Sequence, residues 1–133
     1  MIEDGGWLYP ELSDIRRIMA EWGLSEFQDA RKADSACARP RQIFGGHTPY
    51  TDAASKAAVL GWGLASAHAL IDGNKRLGAI ATLYFLHANG YDAALTQGEL
   101  VALYVQIARG LMDQEELCVF LRSRIVQAPR QDW

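Results

Sequence analysis

Nine consecutive residues, His68-Ala69-Leu70-Ile71-Asp72-Gly73-Asn74-Lys75-Arg76, place a proton acceptor, a carboxylate, a glycine, an amide and two cations between two apolar segments. Phosphate chemistry uses these groups: a base to take a hydroxyl proton, a carboxylate to hold a divalent metal, and cations with backbone amides to hold phosphate oxygens. Asp72 stands one residue before Gly73, placed to hold a metal against phosphate oxygens, and His68 lies four residues upstream on the other limb of the same loop. Lys75 and Arg76 fall in the first turn of the following helix, at the positive end of its macrodipole. Each is disfavoured there by roughly 0.3–1 kcal/mol unless an anion neutralises it. Gly73 lets backbone approach closely, and the unpaired amides of a helix start are a ready anion site. The combination predicts bound phosphate. Taken singly, Asp72 also fits a helix N-cap and His68 a satisfied core histidine. Those explanations together leave Asn74, Lys75 and Arg76 without a reason.

Two segments must position this loop. After it, Leu77, Ile80, Leu83, Tyr84, Phe85 and Leu86, with Ala79, Ala81 and Ala88 between them, leave no polar face and predict a buried helix that stops at Asn89-Gly90. His87 in its last turn suits the dipole and needs no catalytic role. Before the loop, Thr51 and Asp52 open a helix over residues 51–67, rich in Ala and Gly and able to pack closely; its end delivers His68. Gly61-Trp62-Gly63 weakens it by roughly 0.5–1 kcal/mol per glycine, which close helix crossing explains.

The remaining elements are helical as well. Pro10, the spacing of Leu12, Ile15, Ile18, Met19 and Trp22, and Gly23 describe a first amphipathic helix. A weaker helix spans 25–38 and closes before Pro40. Gly45-Gly46 and Pro49 mark residues 43–50 as a loop or short hairpin. Residues 97–108, ended by Gly110, and 113–126, opened by the capping-box pattern Asp113-x-x-Glu116, complete the set. The tail over 127–133 reads as frayed. The fold class is all-α, about six helices around a buried central one, in a single domain over residues 1–133.

The chain of 133 residues is half apolar, enough for one core, and its net charge is −3. No block of Lys or Arg supplies a nucleic-acid footprint, so direct nucleic-acid binding is excluded. The N-terminus is acidic without an apolar h-region, and no uncharged run reaches bilayer length, so a cytoplasmic protein is expected. Cys37 and Cys118 lack metal-site spacing and read as small core hydrophobes.

The nine-residue stretch resembles the Fic/Doc family motif of histidine, apolar residues, acid, small residue, Asn, Lys or Gly, and Arg, and Lys75 makes it similar to the Doc branch. The resemblance extends to Phe27-Gln28-Asp29, to Ala36-Cys37-Ala38-Arg39-Pro40-Arg41-Gln42, and to Phe44-Gly45-Gly46, which resembles the flap lining the target groove. Arg39 and Arg41 read as solvated charges, with reach toward ATP as the alternative. The family usually has Phe at Leu70, often Pro at Ala69, commonly Arg at Gln28 and often Thr at Leu77. The first two departures imply repacking, whereas Gln28 removes a cation.

The resemblance implies that His68 deprotonates a target hydroxyl, Asp72 holds Mg2+, and Asn74 and Arg76, beside Gly73, hold phosphates. Adenylylating members have Gly at Lys75 and a second Arg at Ala79. Members with Lys resemble kinases that transfer the γ-phosphoryl of ATP to a threonine of elongation factor Tu and halt translation. Self-limiting relatives carry an inhibitory Ser/Thr-x-x-x-Glu-Gly/Asn pattern, which this chain lacks, so a Phd-like antitoxin is the implied restraint. The expectation is a Doc-like kinase toxin of a toxin–antitoxin system. The alternatives are a Fic-type AMP transferase and a catalytically degenerate Fic-fold binding protein.

Overall fold

The computed structural model describes residues 1–131; of the tail expected to fray, Asp132 and Trp133 lie outside the described residues. Six α-helices carry the architecture: α1 Leu12–Trp22, α2 Ala30–Ala38, α3 Ala53–Ser66, α4 Asn74–Ala88, α5 Gln97–Ala108 and α6 Gln114–Arg124. The all-α expectation holds. Two short antiparallel pairs were not foreseen: β1 Ile2–Asp4 with β2 Trp7–Tyr9, and β3 Tyr91–Ala93 with β4 Ile125–Gln127. The first is closed by Gly5-Gly6, both at positive φ as a tight hairpin turn requires.

Local chemistry explains most boundaries. Helix α1 begins at the reciprocal Glu11–Asp14 capping box and stops at Gly23, in the left-handed region at φ 63°. Pro10 precedes that cap rather than occupying the first helical position. Asp29, Asp52, Thr96 and Asp113 cap α2, α3, α5 and α6 with their side chains. The helix expected over 25–38 starts only at Ala30, because Phe27 bridges to Leu70 and the Gln28 and Asp29 amides donate to the Ala69 carbonyl at 2.7 and 3.0 Å. Long-range pairing overrides helix propensity there. The helix expected over 113–126 gives way to β4 at Ile125 for the same reason. Ala128 donates to Gly90 and Gln131 to His87, which ties the described part of the tail to the end of α4.

Helices α3 and α4 form the centre. Eleven of the fourteen residues of α3 and ten of the fifteen of α4 are buried. Their approach is set by glycine: a Cβ on Gly78 would lie 2.6 Å from the Gly61 carbonyl oxygen and 2.9 Å from the Ala65 Cβ. A Cβ on Gly61 would collide with the Tyr104 and Thr82 hydroxyls. Tyr104, fully buried on α5, bonds to Thr82, whose hydroxyl donates to the Gly78 carbonyl at 2.9 Å. At the far end of α4, the Asn89 side chain accepts from the Leu8 amide at 2.8 Å and donates to the Leu8 carbonyl at 3.0 Å. Asp52 joins α3 to α6 through Arg122 at 2.8 Å, and that hydrogen bond holds its carboxyl well below the usual carboxylate range.

Among the described residues no helix is long and apolar enough to cross a membrane. Both cysteines are buried, and burial pushes the Cys37 thiol up to about 12, as expected of an inert core residue.

Helix propensity alone would favour Gly78→Ala by about 1 kcal/mol, but forcing α3 and α4 apart costs about 1–3 kcal/mol and should win. Urea unfolding should therefore show Gly78→Ala less stable than the wild type. A stabilised variant would contradict the close-crossing account.

Candidate active site

The loop between α3 and α4 is assembled from both helix ends. Helix α3 stops at Ala67, and His68 follows at φ 54°, the only described non-glycine residue at positive φ. A left-handed residue with a Cβ is disfavoured by about 1–2 kcal/mol, although His is among the types that tolerate it better than most. The turn leaves His68 exposed between buried neighbours, Ala65 before it and Ala69 and Leu70 after it. It is therefore no core histidine.

Ala69 and Leu70 anchor the loop. The Ala69 carbonyl takes the two amides of Gln28 and Asp29. Leu70 is held by Asn74 in a closed ring: the Leu70 amide donates to Asn74 Oδ1 at 3.0 Å, and Asn74 Nδ2 donates to the Leu70 carbonyl at 3.0 Å. Asn74, expected to hold phosphate, uses both ends of its amide on the loop backbone. Gln28 is exposed and acts through its backbone, so the contact survives the loss of a cation at that position.

Asp72 is exposed and positioned from a distance. Ser25 Oγ accepts from the Asp72 amide at 3.0 Å and donates to its carbonyl at 2.7 Å. Sequence reasoning missed Ser25, since 47 residues separate the partners and a lone serine before an irregular segment carries no signal. The N-cap of α4 is Gly73, not Asp72, at φ 92° with no side-chain cap. Asp72 Oδ1 accepts from the Gly73 amide at 2.8 Å. The amides of the first α4 turn thus point out of the helix without side-chain acceptors. The first intrahelical closure is Leu77 to Gly73 at 2.9 Å.

Lys75 and Arg76 project from this turn and are exposed. Arg76 Nη2 donates to the Trp22 carbonyl at 3.0 Å, placing its cation at the negative end of α1. Its stem lines a small apolar cleft of 170 Å³ with Trp22, Ala79 and Leu83. Beside the other limb, a 490 Å³ cleft opens between α2 and the end of α3, walled by Lys32, Ser35, Arg39, Gly63 and Ser66. Arg39 is not the solvated charge its sequence context suggests: it bonds Gln114 at 3.1 Å and lies over the Trp62 ring. Arg41 is half-buried as well. The flap is a tight hairpin in which Phe44 and His47 bond each other across Gly45-Gly46.

The loop therefore offers an uncapped helix N-terminus, an adjacent exposed carboxylate, an exposed cation and an exposed imidazole. The family model described as Fic/DOC matches residues 8–86, which cover the loop, α1 to α3 and most of α4. The chain belongs to the Fic/DOC family. Over 72 residues it is 42% identical to Toxin Doc of Mycolicibacterium smegmatis, a match covering 54% of this chain and 55% of that protein's length. Fic/DOC members generally transfer nucleotide or phosphate groups to proteins, using ATP with Mg2+.

The donor set suits that pair. Among the described residues no three His, Cys, Asp or Glu side chains converge into an all-protein cage, and the Asp72 carboxylate stands beside amides suited to phosphate. Mg2+ is usually held in this way, by one or two carboxylates plus substrate phosphates rather than by an all-protein cage.

Two stability measurements test this account of the loop. His68→Ala keeps the left-handed strain without a polar side chain and should cost about 1 kcal/mol, whereas His68→Gly should unfold no earlier than the wild type. Melting curves of the two variants check the order. Asn74→Ala breaks both hydrogen bonds to Leu70 and should cost about 2 kcal/mol. An Asn74→Ala variant as stable as the wild type would show that the ring does not hold the loop.

Proposed function

We propose that this protein is a Doc-type toxin that transfers the γ-phosphoryl of ATP to a Ser or Thr hydroxyl of a protein target. The observation that carries the reading is the uncapped first turn of α4 with Lys75 free at its surface. Bare amides, the macrodipole and a cation favour a polyphosphate there. Elongation factor Tu is the target that the Doc resemblance implies, with inhibited translation as the result. The partner in restraint is a Phd-like antitoxin whose disordered tail folds as a helix on the toxin. Substrate, target and antitoxin meet in the cytoplasm, and no nucleic acid is bound directly.

In this reading each residue has a defined task. Asp72, held by Ser25, would hold the Mg2+ that accompanies ATP, which when bound would supply neutralisation of phosphate charge. The first-turn amides of Asn74, Lys75 and Arg76 cradle phosphate oxygens that approach over Gly73, while the Asn74 side chain fixes the loop that presents them. His68 accepts the proton of the target hydroxyl as its oxygen bonds to the γ-phosphorus and the bond to the β-phosphate oxygen breaks. ADP leaves, and His68 then returns its proton to solvent. Lys75 and Arg76 offset charge on the transferred and leaving groups, Arg76 exchanging the Trp22 carbonyl for a phosphate oxygen. Phosphoryl transfer depends chiefly on such positioning and charge stabilisation.

AMP transfer is the competing chemistry in this family. Lys75 and Ala79 argue against it, since adenylylating members carry Gly and a second Arg at those positions.

Incubation with γ- and α-labelled ATP, Mg2+ and a translation extract separates the readings. Label from the γ-position identifies a kinase, label from the α-position an AMP transferase, and neither a binding protein. His68→Gly should lose transfer while remaining folded. Lys75→Gly should lose about 2.7–4 kcal/mol of transition-state stabilisation, the order seen when one preorganised donor is removed, and hence two to three orders of magnitude in rate. If Lys75→Gly phosphorylates as well as the wild type, the kinase reading fails.

A further inference from the structure

A cavity at the opposite end of α3 carries a second pair of cations. It measures 330 Å³, and Asp4, Trp7, Tyr9, Arg41, Thr48 and Lys56 are among the residues that line it. Lys56 is 3% exposed; its ammonium donates to the Tyr9 hydroxyl at 2.7 Å and the Pro40 carbonyl at 3.3 Å, and lies over the Trp7 and Tyr9 rings. Arg41 buries its Nε with no hydrogen-bond partner. Neither cation makes an ion pair among the described residues. Asp4 shares the cavity from the exposed hairpin and, with Asp52, supports the Lys56 charge at longer range, while burial pushes the ammonium's pKa below its ordinary value.

Leaving a buried donor unsatisfied costs about 1–3 kcal/mol, more when the group is charged. A neutral ligand would give Arg41 an acceptor and leave both cations without an ion-pair partner. An oxyanion answers both. Thr48 and Tyr50, both hydroxyl-bearing, line the same cavity. We infer that this cavity binds a carboxylate or phosphate group between Arg41 and Lys56.

The site is separate from the motif loop. Lys56 lies twelve positions before His68, about 18 Å along a helix at 1.5 Å per residue. The inference does not rest on the transfer reading. Two sources could supply the group: free phosphate, or an acidic side chain of a polypeptide lying along the flap. The flap's Ile43 and Phe44 are 66% and 58% exposed beside the cavity.

Nuclear magnetic resonance of the full chain tests it. The Arg41 Nε–H and Thr48 amide signals would be followed during titration with sodium phosphate and, separately, with blocked Leu-Glu-Leu and Leu-Gln-Leu peptides at constant ionic strength in chloride. Saturable shifts with phosphate or the Glu peptide, and none with the Gln peptide, are expected. Followed through Thr48, binding should weaken about tenfold in Arg41→Gln, the equivalent of about 1.4 kcal/mol, and recover in part in Arg41→Lys. The tighter of the two ligands identifies the source. Absence of saturation in the wild type, or undiminished binding in Arg41→Gln, would overturn the inference. Shifts confined to the amides of 73–75 would overturn it too, while leaving the transfer reading intact.

Discussion

The contact on which the site depends is the crossing of α3 and α4 at Gly61 and Gly78. The motif loop is the connection between these helices, so their separation fixes the distance between its limbs. A Cβ at Gly78 would press on the Gly61 carbonyl, and one at Gly61 on the Tyr104–Thr82 pair. Glycine at both positions lets two backbones approach with a buried hydrogen-bonded pair beside them. Interiors packed at crystal-like density transmit strain, so a change at this crossing reaches the site.

On that frame the loop is held by backbone bonds rather than by ion pairs. The Ala69 carbonyl is tied to residues 28 and 29, Leu70 to Asn74, and Asp72 to Ser25. These bonds fix the chain while leaving His68, Asp72 and Lys75 exposed. A left-handed histidine and an uncapped helix start are locally unfavourable. Both persist because the surrounding structure over-determines them, a pattern that clusters at functional sites.

The charge layout follows the same division. The chain is net acidic, yet two pairs of cations without ion pairs stand out, Lys75 and Arg76 at the first turn of α4 and Arg41 and Lys56 at the cavity beside the flap. Several carboxylates elsewhere are spent on helix caps, as Asp29 and Asp113 are, or on surface pairs such as Asp52–Arg122. Surface pairs contribute little to stability, about 0–1 kcal/mol each.

Much of this was legible in the sequence. Periodicity and capping residues located all six helices, the glycine pair located the flap turn, and the motif located the loop, because each signal is short-range. Family membership followed from the same nine residues. The tertiary structure decided what depends on distant partners: the extended run before α2, the two strand pairs, the role of Ser25, and the partial burial of Arg39 and Arg41. It also decided what Asn74 does, since a local reading sees an amide beside a phosphate site and cannot see that the carbonyl and amide of Leu70 fold back onto it. Residue types set which chemistry was available. Only the fold determined which of those groups were spent on structure and which were left facing solvent, because a hydrogen bond between residues far apart in sequence leaves no local pattern.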